Sequence, residues 1–480
     1  MQRKWFLALA SLALVLSSLS VAQTLTPLVH QPPDGILIAF QLTDGTVMVQ
    51  GNAASDWYKL TPDITGSYVK GTWTRLPDLP SGYVPYAFAS AVLADGRLIV
   101  EGGEYNNWNF ALTNQGAVYN PLTNTWTKLQ PPPGWGYIGD SPSSMLPDNT
   151  YIIGDKLHRN IAILNPKTMK WKQGTLPGKT DFNSEEGWTL MPDGTILTAD
   201  VRNAPNSEKY VPSLKEWVTA GSTIVDLHSP YSGSCLPYGG GCYHPPGEIG
   251  PAILRPDGTV FATGSTPTGG NSGHTSIYTP GANPTDPGTW TPGPNFPRGD
   301  NAGDSFAALL PNGNVLVLGV SGTLYEFDGT NLTAGPYGPG ALMVLPTGEV
   351  LVGAGSTAAY SSSGTYSSAW QPTISSCPTS VTRGSTYQIS GTQFNGLSQA
   401  NAFGDEMETA TNYPLVRITN QSTGHVFYAR THDHSTMGVA TGSATVSTNF
   451  DVPASMETGA STLVVVANGI PSQPFSLTVN

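Results

Sequence analysis

One local pattern limits what this chain can fold into: a short apolar strand, an Asp-Gly turn, and a second apolar strand that ends in glycine. Its clearest copy is SAVLADGRLIVEGG (90–103). Asp-Gly supplies the positive φ that a tight hairpin needs. Variants of the turn fall at Asp44-Gly45, Asp95-Gly96, Asp148-Asn149, Asp193-Gly194, Asp257-Gly258, Asn312-Gly313 and Thr347-Gly348, which makes seven hairpins. A second landmark keeps step with them. Trp73, Trp126, Trp171 and Trp290 each lie 22 residues before the next turn, at 95, 148, 193 and 312. Trp217 precedes its turn at 257 by 40 residues, and the loop SCLPYGGGC lies inside that excess. The sixth unit carries Asn331-Leu332 where the others carry Trp.

Each unit reads as four strands: two around the turn, one ending near Tyr or Asn-Pro, and an outer one carrying Trp. Such units cannot bury both faces alone, and radial stacking closes them into a ring. The expected fold is all-β: a seven-bladed β-propeller over 23–370. After Trp370 the repeat stops, and from Thr379 strands alternate at a two-residue period. That predicts an immunoglobulin-like β-sandwich over 371–480.

Composition agrees and excludes some functions. Charged residues are 11% of the chain, against 55 Gly and 41 Pro, which favours turn-rich β structure over helix. Net charge is −12 without a Lys/Arg cluster, so nucleic acid is not an expected partner. Residues 1–22 begin with Arg3 and Lys4, continue through an apolar run and end in Ser20-Val21-Ala22. They read as a signal peptide cut near Ala22, which predicts a secreted, extracytoplasmic monomer without a membrane span in the mature chain. Cys235 and Cys242 are expected to form a disulfide that pins a local excursion, with Cys377 a buried small hydrophobe.

Blades of the form DG-RLIVEGG followed by VYNPLTNTW resemble Kelch repeats. With a signal peptide and an Ig-like tail, the chain resembles the galactose oxidase and glyoxal oxidase group, most closely in GTQFNGLSQANAFGDEMETATNYPLVRITN (391–420), FYARTHDHSTMG (427–438) and VVANGIPSQP (465–474). The resemblance implies a galactose-oxidase-type C-terminal (early-set) domain. It also implies copper held by two Tyr and two His, one Tyr being cross-linked to a Cys. Thr431-His432 matches the ligand position contributed by the C-terminal domain. Tyr337 stands where the last blade's Tyr would be, but Gly338 occupies the place of His, and no Cys precedes 235. The architecture is expected and the copper-radical site is not.

Three sets of residues remain as candidates. His432 and His434 alternate along one strand, an arrangement in which two imidazoles can share a metal. Acids recur where the blades open: Glu185-Glu186, Glu248 and Asp304, with Glu104, Asp140, Asp155, Asp200 and Asp300, beside Arg202, His244 and His274. Converging carboxylates can hold calcium or another hard cation, act as an acid/base pair, or simply satisfy backbone N–H groups. Glu186, Glu248 and Asp304 are the catalytic candidates, with Tyr337. Tyr105, Trp108, Trp135, Tyr137 and Tyr231, in Gly/Asn/Pro-rich loops, suit stacking on sugar rings or packing between blades. The leading expectation is a secreted protein whose propeller binds an extracellular glycan or small polar ligand. The rivals are a metal-dependent oxidase of alcohols or aldehydes with a divergent copper ligand set, and an acid/base hydrolase or lyase at the propeller mouth.

Overall fold

The computed structural model describes residues 23–480 apart from 176, 231–235, 239–240, 244–246, 354–355 and 407. The leader, Tyr231, His244 and the Cys235–Cys242 pairing lie outside the described residues and side chains.

The repeat becomes seven blades. Their innermost strands are Ile38–Gln41, Ala89–Val92, Ser143–Met145, Thr189–Leu190, Ile249–Leu254, Phe306–Leu309 and Leu342–Val344, and each begins a sheet of antiparallel strands running outward. The turns behave alike. Oδ1 of Asp44, Asp148, Asp193 and Asp257 each accepts the amide N–H two residues on, at 3.0 Å. The next residue takes the left-handed conformation, Gly in most blades and Asn149 (φ 69°) in the third, which Asn tolerates better than other side chains.

The outer tryptophans that keep the 22-residue spacing staple neighbouring blades, whereas the Trp217 indole N–H is buried without a hydrogen-bond partner among the described residues. The indole N–H of Trp126 donates to the Pro77 carbonyl at 3.1 Å, and that of Trp171 to the Gln130 carbonyl at 2.8 Å. Trp290 reaches the Ala220 carbonyl at 3.0 Å. Each bond crosses from a blade's outer strand to the blade before it, which explains why Trp keeps step with the turns.

Blade 7 is built from both ends of the propeller sequence. Its three inner strands come from 342–361, and its outermost is Thr24–Pro27, paired antiparallel with Ala358–Ser361. Gln31 adds a clamp: its side-chain Oε1 accepts from the Thr357 N–H at 2.7 Å and its Nε2 donates to the Thr357 carbonyl at 3.0 Å. Deleting residues 23–27 is expected to cost about 2–4 kcal/mol from the lost ladder. Calorimetry should show a melting temperature several degrees lower, and an unchanged one would mean the ring closes without this strand.

The C-terminal module is a two-layer sandwich, compatible with the immunoglobulin-like expectation. Strand Val426–His432 pairs with Leu415–Asn420 along its first half and with Val446–Asp451 along its second, so it passes from one layer to the other. Ile389, Val416, Phe450, Leu463 and Leu477 fill the space between the layers. The module docks under the inner turns of the first three blades. Thr431 N–H donates to the Thr43 carbonyl at 3.0 Å, and His434 N–H to the Ala94 carbonyl at 3.1 Å. Asn149 Nδ2 donates to the His434 carbonyl at 2.7 Å.

From that base a second segment threads the hub. Strand Asn401–Phe403 adds to the exposed edge of Phe306–Leu309, the inner strand of blade 6. Asn401 Oδ1 accepts from Val344 N–H in blade 7 at 3.0 Å, and Gln399 Oε1 from Leu190 N–H in blade 4 at 2.7 Å. The central channel is thus plugged by protein, with Gly404-Asp405-Glu406 at the far end of the plug. Among the described residues, no helix is long and apolar enough to cross a membrane.

Candidate functional site at the hub mouth

The plug carries two acids into a ring of acids. Asp405 and Glu406 are buried. Around them stand Glu104 and Asp140 from loops of blades 2 and 3, and Glu185, Glu248 and Asp304, which precede the inner strands of blades 4, 5 and 6. Two triads of carboxylate oxygens form, Asp140–Glu185–Asp405 and Glu248–Asp304–Asp405, each with its oxygens within 4.8 Å of one another. Asp405 belongs to both.

One ammonium answers these charges. Lys156 is fully buried, with its Nζ 2.5 Å from Glu185 Oε1, 3.7 Å from Glu104 Oε1 and in contact with Asp140 Oδ2. Seven carboxyl groups around one lysine cannot all be ionised in a low-dielectric site. Burial raises Glu104, and pushes Asp140 and Glu406 well above the usual carboxylate range despite the nearby ammonium. Burial, with the Glu185 and Asp304 charges, pushes Glu248 up to about 10. Asp304 is raised to about 7, by burial first and by Glu185 second.

The cluster is graded in depth. Asp140, Lys156, Glu185, Asp405 and Glu406 form a buried floor, Glu104 and Glu248 are half-buried, and solvent reaches Asp304. The backbone is bent to aim two of these groups: Glu185 (φ 57°) and Asp304 (φ 47°) both sit in the left-handed region, an unfavourable place for a side-chain-bearing residue. Aromatic rings flank the opening. A hairpin spanning Tyr105–Asn106 and Asn109–Phe110 pairs with Pro85–Tyr86. The Tyr86 ring lies 5.0 Å from Trp108 and 6.2 Å from Tyr105, and Trp108 is 51% exposed.

Some expected site residues meet here and some do not. Glu248, Asp304, Tyr105 and Trp108 do. Glu186 points away from its neighbour Glu185 and bonds Lys179 Nζ at 2.8 Å, so the three catalytic candidates do not share one site. Tyr337 ends the outer strand Leu332–Tyr337 of blade 6, 70% exposed and away from the hub. Tyr137 bonds His158 at 2.7 Å, and Trp135 packs on the propeller core. Arg202 lies over Phe182 at 4.9 Å, and half-buried His274 acts on Asp226, which His228 also contacts. Asp300 bonds Ser321 and the Tyr325 hydroxyl, a purely local role.

His432 and His434 require a correction to the strand argument. The strand ends at His432, and Asp433 turns left-handed (φ 53°), so the two imidazoles do not alternate on one face. His432 pairs with Asp433 and Asp451, while buried His434 bonds the Thr448 hydroxyl at 2.9 Å and is held down to about 3 by burial. Both lie under the propeller with the docking loop, and the segment that enters the axis is 401–406 instead. The residues that the galactose oxidase resemblance offers for copper do not meet at the hub: Tyr337 ends an outer strand and His432 is paired with Asp433 and Asp451 under the propeller, while the ligand groups that converge at the mouth are carboxylates, and copper(II) sites favour imidazole nitrogen.

Lys156, Asp405 and Glu406 escaped the sequence reading. A lysine two residues after the second strand of blade 3, Tyr151–Gly154, was the one visible signal for the first of them.

No protein-family model matches the chain. It is 28% identical over 140 residues to the Kelch-like protein terF of Aspergillus terreus, covering 28% of each chain. It is 36% identical over 152 residues to an N-acetylneuraminate epimerase of Haemophilus influenzae, covering 31% of this chain and 37% of that protein. The matched stretches thus span about a third of the curated relatives' length. Among solved structures, a fungal alcohol oxidase of the AA5 family in complex with copper superposes with a TM-score of 0.54 at 15% identity, covering 96% of this chain and 100% of that one. Sequence repeat, blade count and superposition agree on the fold: a seven-bladed propeller with a C-terminal sandwich, as in that alcohol oxidase, in a chain whose sequence is similar over part of its length to a Kelch-like protein.

Proposed function

We propose that the hub mouth binds an extracytoplasmic sugar and performs general acid–base chemistry on it. The observation that carries this reading is the Glu248–Asp304–Asp405 triad, whose two outer members are held apart, one near 10 and one near 7. Two carboxyl groups side by side with separated proton affinities can serve as donor and acceptor at neutral pH. Glu248 arrives protonated, and Asp304 takes a proton from the substrate. Asp405 completes the triad with both, and the Lys156 charge is near enough to act on each. The secretory leader read from the sequence supports an extracellular setting.

Ligand class follows from charge. Tyr86, Tyr105 and Trp108 offer flat faces for a pyranose ring. The mouth has an excess of acids, so an anionic sugar is repelled while a neutral or amino sugar is not. This separates the chain from the activity named for its Haemophilus relatives, whose substrate carries a carboxylate.

The test is proton NMR on a panel of neutral, amino and acidic sugars incubated with the protein. Accelerated interconversion, elimination or hydrolysis of a neutral or amino sugar is expected. Trp108→Ala should raise its KM about tenfold, a loss of about 1.4 kcal/mol of stacking, with kcat little changed. Saturable binding with no product would return the chain to the class of binding proteins. Conversion of acidic sugars alone would overturn the charge argument.

A further inference from the structure

A second buried group of acids lies in blade 4, apart from the hub. Asp181 and Glu186 come from the segment leading into that blade, and Asp200 follows its second strand, Ile196–Ala199. All three residues are at most 2% exposed, and one oxygen from each lies within 4.8 Å of the others. Their partners differ. Asp181 Oδ2 accepts from the Val201 and Arg202 N–H groups at 2.9 and 2.8 Å. Glu186 Oε1 accepts from Lys179 Nζ at 2.8 Å and its Oε2 from the Thr198 hydroxyl at 3.3 Å. Lys179 Nζ also donates to Glu208 at 2.7 Å. For Asp200, neither oxygen has a hydrogen-bond partner among the described residues. Whichever of its oxygens faces the triad is therefore a buried, unpartnered acceptor aimed at two other carboxylates.

That combination is costly unless something is missing from between the three oxygens. Four carboxylates, Asp181, Glu186, Asp200 and Glu208, face one ammonium, Lys179. A buried carboxylate is normally paired or on a metal. Oxygens up to 4.8 Å apart suit a hard cation with bonds of about 2.3–2.6 Å, the range of calcium. We propose that Asp181, Glu186 and Asp200 bind a divalent cation of the calcium class, distinct from the hub-mouth site. The ion reduces the local charge from three negative to one and ties the segment before blade 4 to the loop after its second strand. Glu186 is the neighbour of Glu185, so the ion also fixes the chain from which Glu185 reaches the hub floor.

Trp217 and Trp188 make the site measurable. Lys179 Nζ lies 5.0 Å from the Trp217 ring, and Trp188 is 5.7 Å from Trp217. After chelation, terbium added to the full chain is expected to luminesce on tryptophan excitation with one-to-one stoichiometry, and calcium to displace it. Asp200→Asn, nearly the same shape and without a bond to lose, should weaken terbium binding at least tenfold. Asp304→Asn, at the hub mouth, should leave it unchanged. Calcium should also raise the melting temperature of the wild type and of Asp304→Asn, but not that of Asp200→Asn. Absence of binding would overturn the proposal, as would loss through Asp304→Asn with retention in Asp200→Asn, which would move the ion to the hub. Sugar turnover plays no part in these readouts, so failure here and failure of the acid–base reading are separate results.

Discussion

Asp304→Asn is expected to lower kcat/KM on the sugar identified by the NMR panel by about 10²–10⁴, the usual contribution of a positioned general base. The fold should survive, because asparagine keeps the size of the Asp304 side chain and takes one negative charge out of a cluster with an excess of acids. Circular dichroism and an unchanged melting profile would establish that. The pH profile carries more information than the loss alone. In the wild type the pair must be singly protonated, so activity should rise as Asp304 ionises near 7 and fall as Glu248 loses its proton near 10. These limbs belong to the coupled pair rather than to either residue alone. Glu248→Gln, which cannot give up a proton, should remove most of the turnover, and what remains should show no alkaline limb. Full activity in Asp304→Asn would remove the mechanism.

Lys156→Met is expected to be the most damaging single change to stability. Its ammonium is fully buried against Asp140 and Glu185, with Glu104 close by. Removing one partner of a buried ionic group costs about 3–5 kcal/mol, since the remaining charges stay desolvated and uncompensated. The effect has a sign in pH. Asp140, Glu104 and Glu406 are raised in the folded protein. Folding therefore takes up protons there, and the associated stability is full below the ordinary carboxylate range and lost as pH rises. Without Lys156 that loss should steepen. The gap in melting temperature between wild type and Lys156→Met should be small at pH 4 and widen toward pH 8. A gap independent of pH would mean that Lys156 acts through packing rather than charge.

The blade count was legible because a tight turn imposes its residues locally: an acceptor side chain, then a left-handed residue. Asn149 in place of Gly kept the same meaning. Outer tryptophans were legible for a related reason, one bond to the neighbouring blade at a fixed phase. The closing strand Thr24–Pro27 was not, since its partner lies more than three hundred positions away and its four residues show no pattern of their own. The plug was missed on similar grounds: Asn401–Phe403 is three residues long, too short for alternation to register. At the site, Glu248 and Asp304 were visible as acids where blades open. The separation of Glu185 from Glu186 was not, because a single positive φ sends adjacent side chains into different clusters. Lysines answering acids across blades leave no trace in local spacing at all.

The strand that fills the axis belongs to the sandwich, yet its tip supplies Asp405 and Glu406 to the mouth. Cutting the chain at the junction near 370 would therefore yield neither an independent ring nor an inert tail. The ring would lose Asp405 and Glu406 from its floor, leaving Lys156 with the ring's own acids, along with the cover on blade 6's inner edge. Exchanging tails between related chains would transplant chemistry as well as stability, so the two halves are constrained to change together.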